Sequence, residues 1–174
     1  AGMYGEVYIP NHEFVGFYDE TGTYTVVAGI KNKEYYAIEP TITISVLDGD
    51  KRFEQTHTLA AIEPDKMLPL KLQFPEVKGS SPILDEPVIT YEETVNLYLG
   101  GYVIYETLVI HDDGSITGEI RNGGEKIFEN FRIYALIKDK DDNILDISSS
   151  EIFHAMKPGD VFDFKMLAPA NISD

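Results

Sequence analysis

The sequence predicts an all-β chain made of two tandem copies of one sandwich module. Three observations carry that expectation. Apolar and polar residues alternate with a period of two, the second half repeats the first element by element, and turn-forming residues interrupt both halves at short intervals.

Successive side chains of a strand point to opposite faces, so a half-buried strand alternates. Tyr24-Thr25-Val26-Val27-Ala28-Gly29-Ile30-Lys31 and Ile42-Thr43-Ile44-Ser45-Val46 do so. Phe131 to Ile137 repeats the pattern with a more apolar outer face, and Val161-Phe162-Asp163-Phe164-Lys165-Met166 is another clear case. Nowhere do apolar residues recur at helical spacing over a helix's length. Phe53 to Ile62 comes nearest, but its Thr and His content and short length place it with the strands. The alternation turns Ile30, Ile44, Leu70, Ile120, Ile133 and Phe164 inward.

The repeat is read from shared order and chemistry. Gly22-Thr23-Tyr24-Thr25 matches Gly114-Ser115-Ile116-Thr117, and both lead into strands ending Ile30-Lys31-Asn32 and Ile120-Arg121-Asn122. Ile42 to Asp50 matches Ile133 to Asp141. Ile62-Glu63-Pro64-Asp65 matches Met156-Lys157-Pro158-Gly159, and the closing strands are Leu68 to Leu72 and Phe162 to Met166. Each shared element has a physical reason. Asn tolerates a left-handed turn and bonds its own backbone, Asp-x-Asp forms a polar hairpin turn, and proline presets a tight turn. Several strands per copy with regular turn signals are the pattern of immunoglobulin-like, or fibronectin III-like, β-sandwiches. Such modules need about 100 residues or fewer, so two fit within 174. The cluster Val77-Lys78-Gly79-Ser80-Ser81-Pro82 marks the boundary. The expected division is a first module over 1–80, an acidic linker or strand over 81–94, and a second module over 95–174. Tyr4 to Ile9, Val95 to Tyr98 and Tyr102 to Tyr105 are read as the opening strands.

The second copy resembles the FxLYD-type and related immunoglobulin-like modules of bacterial and archaeal cell-surface proteins. Gly118, Ile120, Asn122, Phe131, Ile133, Tyr134, Asp139, Asp141, Pro158, Gly159 and Phe164 carry the likeness. The first copy departs from it at Asp65, where the family pattern has Gly, and lacks the aromatic at the strand start. The resemblance implies an extracellular or cell-envelope spacer or binding platform without a shared active site.

Composition narrows the chemistry. The chain has no Cys, which removes disulfides, thiol nucleophiles and cysteine metal sites, and leans towards a prokaryotic source. Net charge is −16, and no basic residue stands between Lys78 and Arg121. Such a field repels nucleic acid and anionic membrane surfaces. No stretch approaches the roughly 20 apolar residues of a membrane span, so no direct membrane insertion is expected of this segment. The ends, Ala1-Gly2-Met3 and Asn171-Ile172-Ser173-Asp174, read as those of a mature or excised fragment of a longer protein.

Candidate sites are few. Asp139-Lys140-Asp141-Asp142-Asn143 places oxygens where a calcium loop begins, making Asp139, Asp141 and Asn143 the candidate metal ligands. The match stops at Ile144, where the turn needs Gly, and at Ser150, where a bidentate Glu belongs. A solvated acidic turn is the preferred alternative. Tyr98, Tyr102 and Tyr105 form the candidate ligand site, since tyrosine offers a flat apolar face with a polar tip for a sugar ring; the plainer reading is a core strand with a solvent face. His12, His57, His111 and His154 lie apart from one another in sequence. Gly114-Ser115-Ile116-Thr117-Gly118 has Ser misplaced for a nucleophile elbow, and no carboxylate pair is singled out. The expected function is non-enzymatic and needs no cofactor: a spacer or platform for a protein partner, or alternatively a carbohydrate- or calcium-binding accessory module.

Overall fold

The computed structural model describes residues 7–95 and 101–169, and among these all regular structure is β-strand apart from one 3-10 turn at Asn11–Glu13. The first eight strands are β1 (Val7–Tyr8), β2 (Phe14–Tyr18), β3 (Tyr24–Asn32), β4 (Ile38–Asp48), β5 (Lys51–Thr58), β6 (Met67–Phe74), β7 (Ile83–Leu84) and β8 (Val88–Glu93). They are followed by β9 (Gly101–Ile110), β10 (Ile116–Asn122), β11 (Phe128–Phe131), β12 (Tyr134–Lys138), β13 (Ile144–Ser149), β14 (Phe153–Met156) and β15 (Val161–Met166). Every pairing given in register is antiparallel. The described residues divide into two compact units, 7–95 with 138–145, and 101–137 with 146–169.

The first unit is β-sandwich-like. β3 is central in one sheet, with β1 and β2 along one edge and β6 along the other; Val27 stands opposite both Val15 and Lys71. β4 is central in the second sheet, with β5 on one edge and β7 and β8 on the other. Val26, Ile30, Leu72 and Phe74 from the first sheet share one core with Ile38, Ile42, Ile44 and Val46 from the second. Each such side chain taken out of water contributes about 1.5–3 kcal/mol before chain entropy is counted. On the outer face of β4, Thr41 and Thr43 bond the hydroxyls of Thr58 and Thr56 at 3.0 and 2.9 Å. The hairpin between β4 and β5 closes on Gly49-Asp50, with Gly49 at φ 64°, the first turn position for which a II′ hairpin selects glycine.

Two features depart from simple alternation. β3 is buried on both faces from Tyr24 to Ile30; on its outer side the Glu13 carboxyl and Met67 crowd Gly29, where a Cβ would come within 2.8 Å of Glu13 Oε1. The chain from 83 to 93, acidic and loosely patterned, is strand: Ile89 lies opposite Ile42 and Leu84 opposite Val46. The Gly/Ser/Pro stretch before it is tied down, with the N–H groups of Lys78 and Gly79 donating to Asp48 Oδ2 and the Tyr18 hydroxyl donating to the Gly79 carbonyl.

In the second unit β10 runs between β9 and β15, while β11 pairs with β14 and β12 with β13. Ile116, Ile120, Phe128, Met156, Phe164 and Met166 form its buried core. The alternating run from Phe131 to Ile137 is interrupted at Arg132 and Ile133, which separates β11 from β12. Of the six residues expected to face inward, Ile30, Ile44, Ile120 and Phe164 are buried, and Leu70 and Ile133 pack partly buried on the cores.

The units share register. Val7 pairs with Asn32 as Gly101 pairs with Asn122, and Tyr24 pairs with Phe74 as Ile116 pairs with Met166. β9 thus follows the course of β1 and β2, and β15 that of β6. Gly22 and Gly114 hold positive φ at equivalent hairpins, and so do Asp65 and Gly159 at equivalent turns.

Candidate functional site

The acidic turns use their carboxylates to hold the backbone. Asp139 Oδ1 accepts the N–H groups of Asp141 and Asn143 at 2.9 and 3.0 Å, and the Asn143 side-chain amide lies 3.4 Å from Oδ2. Asp142 occupies the left-handed position at φ 68° and its carboxylate sits 3.2 Å from Lys138 Nζ. Asp19 accepts Thr21 N–H, Thr21 hydroxyl and Thr23 N–H within 3.0 Å, and Asp113 accepts both Ser115 groups within 2.9 Å. Hydrogen bonds to the ionised form favour it. The Thr21 hydroxyl first, then the Thr23 amide, holds Asp19 below the ordinary carboxylate range. Ser115 does the same for Asp113, and the Asn143 amide for Asp139. Asp141 N–H serves the same turn. Among the described residues no group of three or more His, Asp or Glu side chains is arranged to hold a metal ion.

The histidines are dispersed. His57, His111 and His154 bond Gln55, Thr117 and Asn130 respectively. His12 lies 3.4 Å from Glu13, a buried carboxylate that the sequence reading passed over. Lys138 stands 3.8 Å from its other oxygen, Oε1, which has no hydrogen-bond partner among the described residues. An open depression at Gly118 is lined by Thr107, Thr117, Glu119, Glu151, Asp163, Phe164 and Lys165. Glu119 and Asp163 stand directly opposite each other across β10 and β15, a like-charge pair of the kind that weakens strand pairing, and Lys165 lines the same depression.

The tyrosine candidate divides. Tyr98 lies outside the described residues. Tyr102 and Tyr105 are exposed, Tyr105 at 78%, and both belong to β9. Tyr102 stands opposite Arg121 and Ile104 opposite Glu119, after which the register shifts. At that bulge the Thr107 hydroxyl donates to the Ile104 carbonyl and accepts from Glu119 N–H, replacing ladder bonds. β9 then rejoins β10 through Val109 and Ile110, which remain exposed. Among the described residues β9 pairs only with β10. Among the described residues β9 is thus an edge strand that displays Tyr102, Tyr105, Val109 and Ile110. The sequence carried a signal for its second half: Leu108-Val109-Ile110 is apolar on both strand faces, which a solvated face does not require.

No family model matches the chain, and no curated protein matches it.

Proposed function

We propose that the chain is a non-enzymatic pair of tandem immunoglobulin-like, fibronectin III-like modules, exported to the cell surface or envelope, whose second module binds a protein partner through β9. The observation that carries this reading is the set of exposed apolar side chains Tyr102, Tyr105, Leu108, Val109 and Ile110 on a strand with only one neighbour among the described residues. Large exposed apolar patches mark interaction sites, and tyrosines contribute rigid contact area at low entropy cost. The matched registers around Asn32 and Asn122 support the tandem assignment. Asp19, Asp113 and Asp139, held by their own turns, support a scaffold reading of those carboxylates. The resemblance to surface modules supports export.

A second reading, a glycan-binding accessory module, is favoured by Tyr102 and Tyr105 alone, as stacking surfaces. The two separate by experiment. A photo-crosslinking residue at Tyr105, with exposed Tyr35 as control, should yield a discrete protein adduct from the first position only. Binding to a glycan array that Tyr105→Ala abolishes would favour the second reading, and failure of both would end the β9 proposal.

A further inference from the structure

The two units differ in one element. In the first, β4 is flanked on both edges, and Leu84 of β7 with Ile89 and Tyr91 of β8 packs onto the core. Beneath them Ile38, Ile42, Ile44 and Val46 are fully buried. In the second, β11 and β12 follow the course of β4, for Phe128 pairs with Met156 as Ile38 bridges to Ile62. Yet among the described residues β11 pairs only with β14 and β12 only with β13. The core shows the difference: Phe131, Ile133, Ala135 and Ile137 stay only partly buried, and Tyr134 is exposed.

The backbone shows which groups line the open edge. Ile133 N–H donates to Ser150 Oγ and its carbonyl accepts Ser150 N–H, both at 2.9 Å, while Asp139 N–H donates to the Asn143 carbonyl. The N–H and C=O groups of successive strand residues point to opposite edges. Ile133 and Asp139 therefore spend theirs towards β13 and β14, and those of Tyr134 and Leu136 point away. An edge of this kind is a template for another strand.

We propose that this edge accepts an extended peptide strand from a partner protein, laid antiparallel along β11 and β12. Its alternate apolar side chains would complete the second core as Ile89 and Tyr91 of β8 complete the first, by strand addition. Charge narrows the partner. Between Lys126 and Lys138 the only acidic residue is Glu129, and Lys126 and Arg132 are exposed, in a chain of net charge −16. In the register of β8, Glu93 stands opposite Ile38, whose counterpart Phe128 lies two residues from Lys126. The edge from Lys126 to Lys138 carries Lys126, Arg132 and Lys138 against Glu129, so the strand taken up is apolar in alternation and acidic between its apolar positions. This site is separate from the β9 surface and does not rest on it.

The test titrates the full chain with a synthetic peptide of residues 81–95 and follows backbone amides by NMR. Saturable shifts within 128–138 are expected, with exchange of the Tyr134 and Leu136 amides slowed by about ten-fold or more. A peptide carrying Ile89→Lys and Tyr91→Lys should produce neither. Absence of saturable shifts up to about 1 mM peptide would overturn the proposal, as would shifts confined to β4, the mark of exchange with β8. Shifts confined to β9 would overturn it while leaving the β9 reading standing. A dimer of the free chain with Tyr134 and Leu136 already protected would overturn it too, assigning the edge to a second copy.

Discussion

Asn32 and Asn122 make the same bonds in two places. The Asn32 side-chain amide donates to the carbonyls of Tyr36 and Ile62, both at 2.9 Å, and its Oδ1 accepts Glu34 N–H at 2.8 Å. Asn122 donates to Lys126 and Met156 at 2.8 and 3.0 Å and accepts Gly124 N–H at 3.0 Å. Both are fully buried, and the carbonyl of each accepts the N–H of the left-handed turn residue, Asp65 or Gly159. One side chain thus joins the end of a strand, the loop after it and a turn over 30 residues further on.

Replacing either Asn by Ala strands several buried backbone groups, each costing about 1–3 kcal/mol. We expect Asn32→Ala and Asn122→Ala each to lower stability by about 2–4 kcal/mol in urea unfolding. A loss under about 1 kcal/mol would mean that water replaces the side chain in that network.

The strands after the Gly/Ser/Pro stretch belong to the first core, so where a fragment is cut matters. Residues 1–95 retain β7 and β8; residues 1–78 lack Leu84 and Ile89, side chains whose burial is worth about 1.5–3 kcal/mol each at full burial. The longer fragment should melt cooperatively and the shorter one at least about 10 °C lower. Equal melting temperatures would show that β4 does not need its second neighbour.

These comparisons also show what was legible in the sequence. Period-two alternation located β4, β10 and β15 because one face of each meets a core, whereas β3, buried on both faces, showed itself by its apolar run. The turn glycines were legible because positive φ restricts residue choice. Asn32 and Asn122 were legible as repeated positions, but they end strands without positive φ, and it is their side-chain bonds rather than a left-handed turn that select Asn. β7 and β8 were obscure because two and six residues, set in an acidic stretch, carry little periodicity and owe their strand form to pairing with β4. Burial of Glu13 was invisible, since it depends on its approach to Gly29 across the sheet. The exposure of Tyr102 and Tyr105 was not legible, because alternation alone does not distinguish a covered strand face from a bare one.

Acid should weaken the fold through its turns. The carboxyls of Asp19, Asp113 and Asp139 are held below their ordinary value of 3.8 by bonds to the charged form. Their contribution is full above that unfolded value and is lost as pH falls through the lower folded values. The urea midpoint should therefore drop as pH falls below about 4. Changing all three to Asn keeps an acceptor and removes the proton linkage, so the drop should shrink. An unchanged acid profile in that variant would place the linkage elsewhere.

Calcium should stabilise the chain little, although a net charge of −16 invites it. A dedicated site gathers six to eight oxygens around one point. In the Asp139 turn, Oδ1 already accepts two backbone N–H groups and Asp142 faces Lys138. Seating an ion there requires the turn to give up bonds that shape it. Diffuse acidic charge elsewhere attracts calcium weakly and is screened within about 10 Å at ordinary salt. A ligand at 100 times its dissociation constant adds about 2.7 kcal/mol, several degrees in melting temperature for domains of this size. At about 1 mM calcium the rise should stay well below that. A larger rise, removed by chelator and by Asp141→Ala, would show that the turn opens to bind the ion and would favour an ion-binding role for this chain.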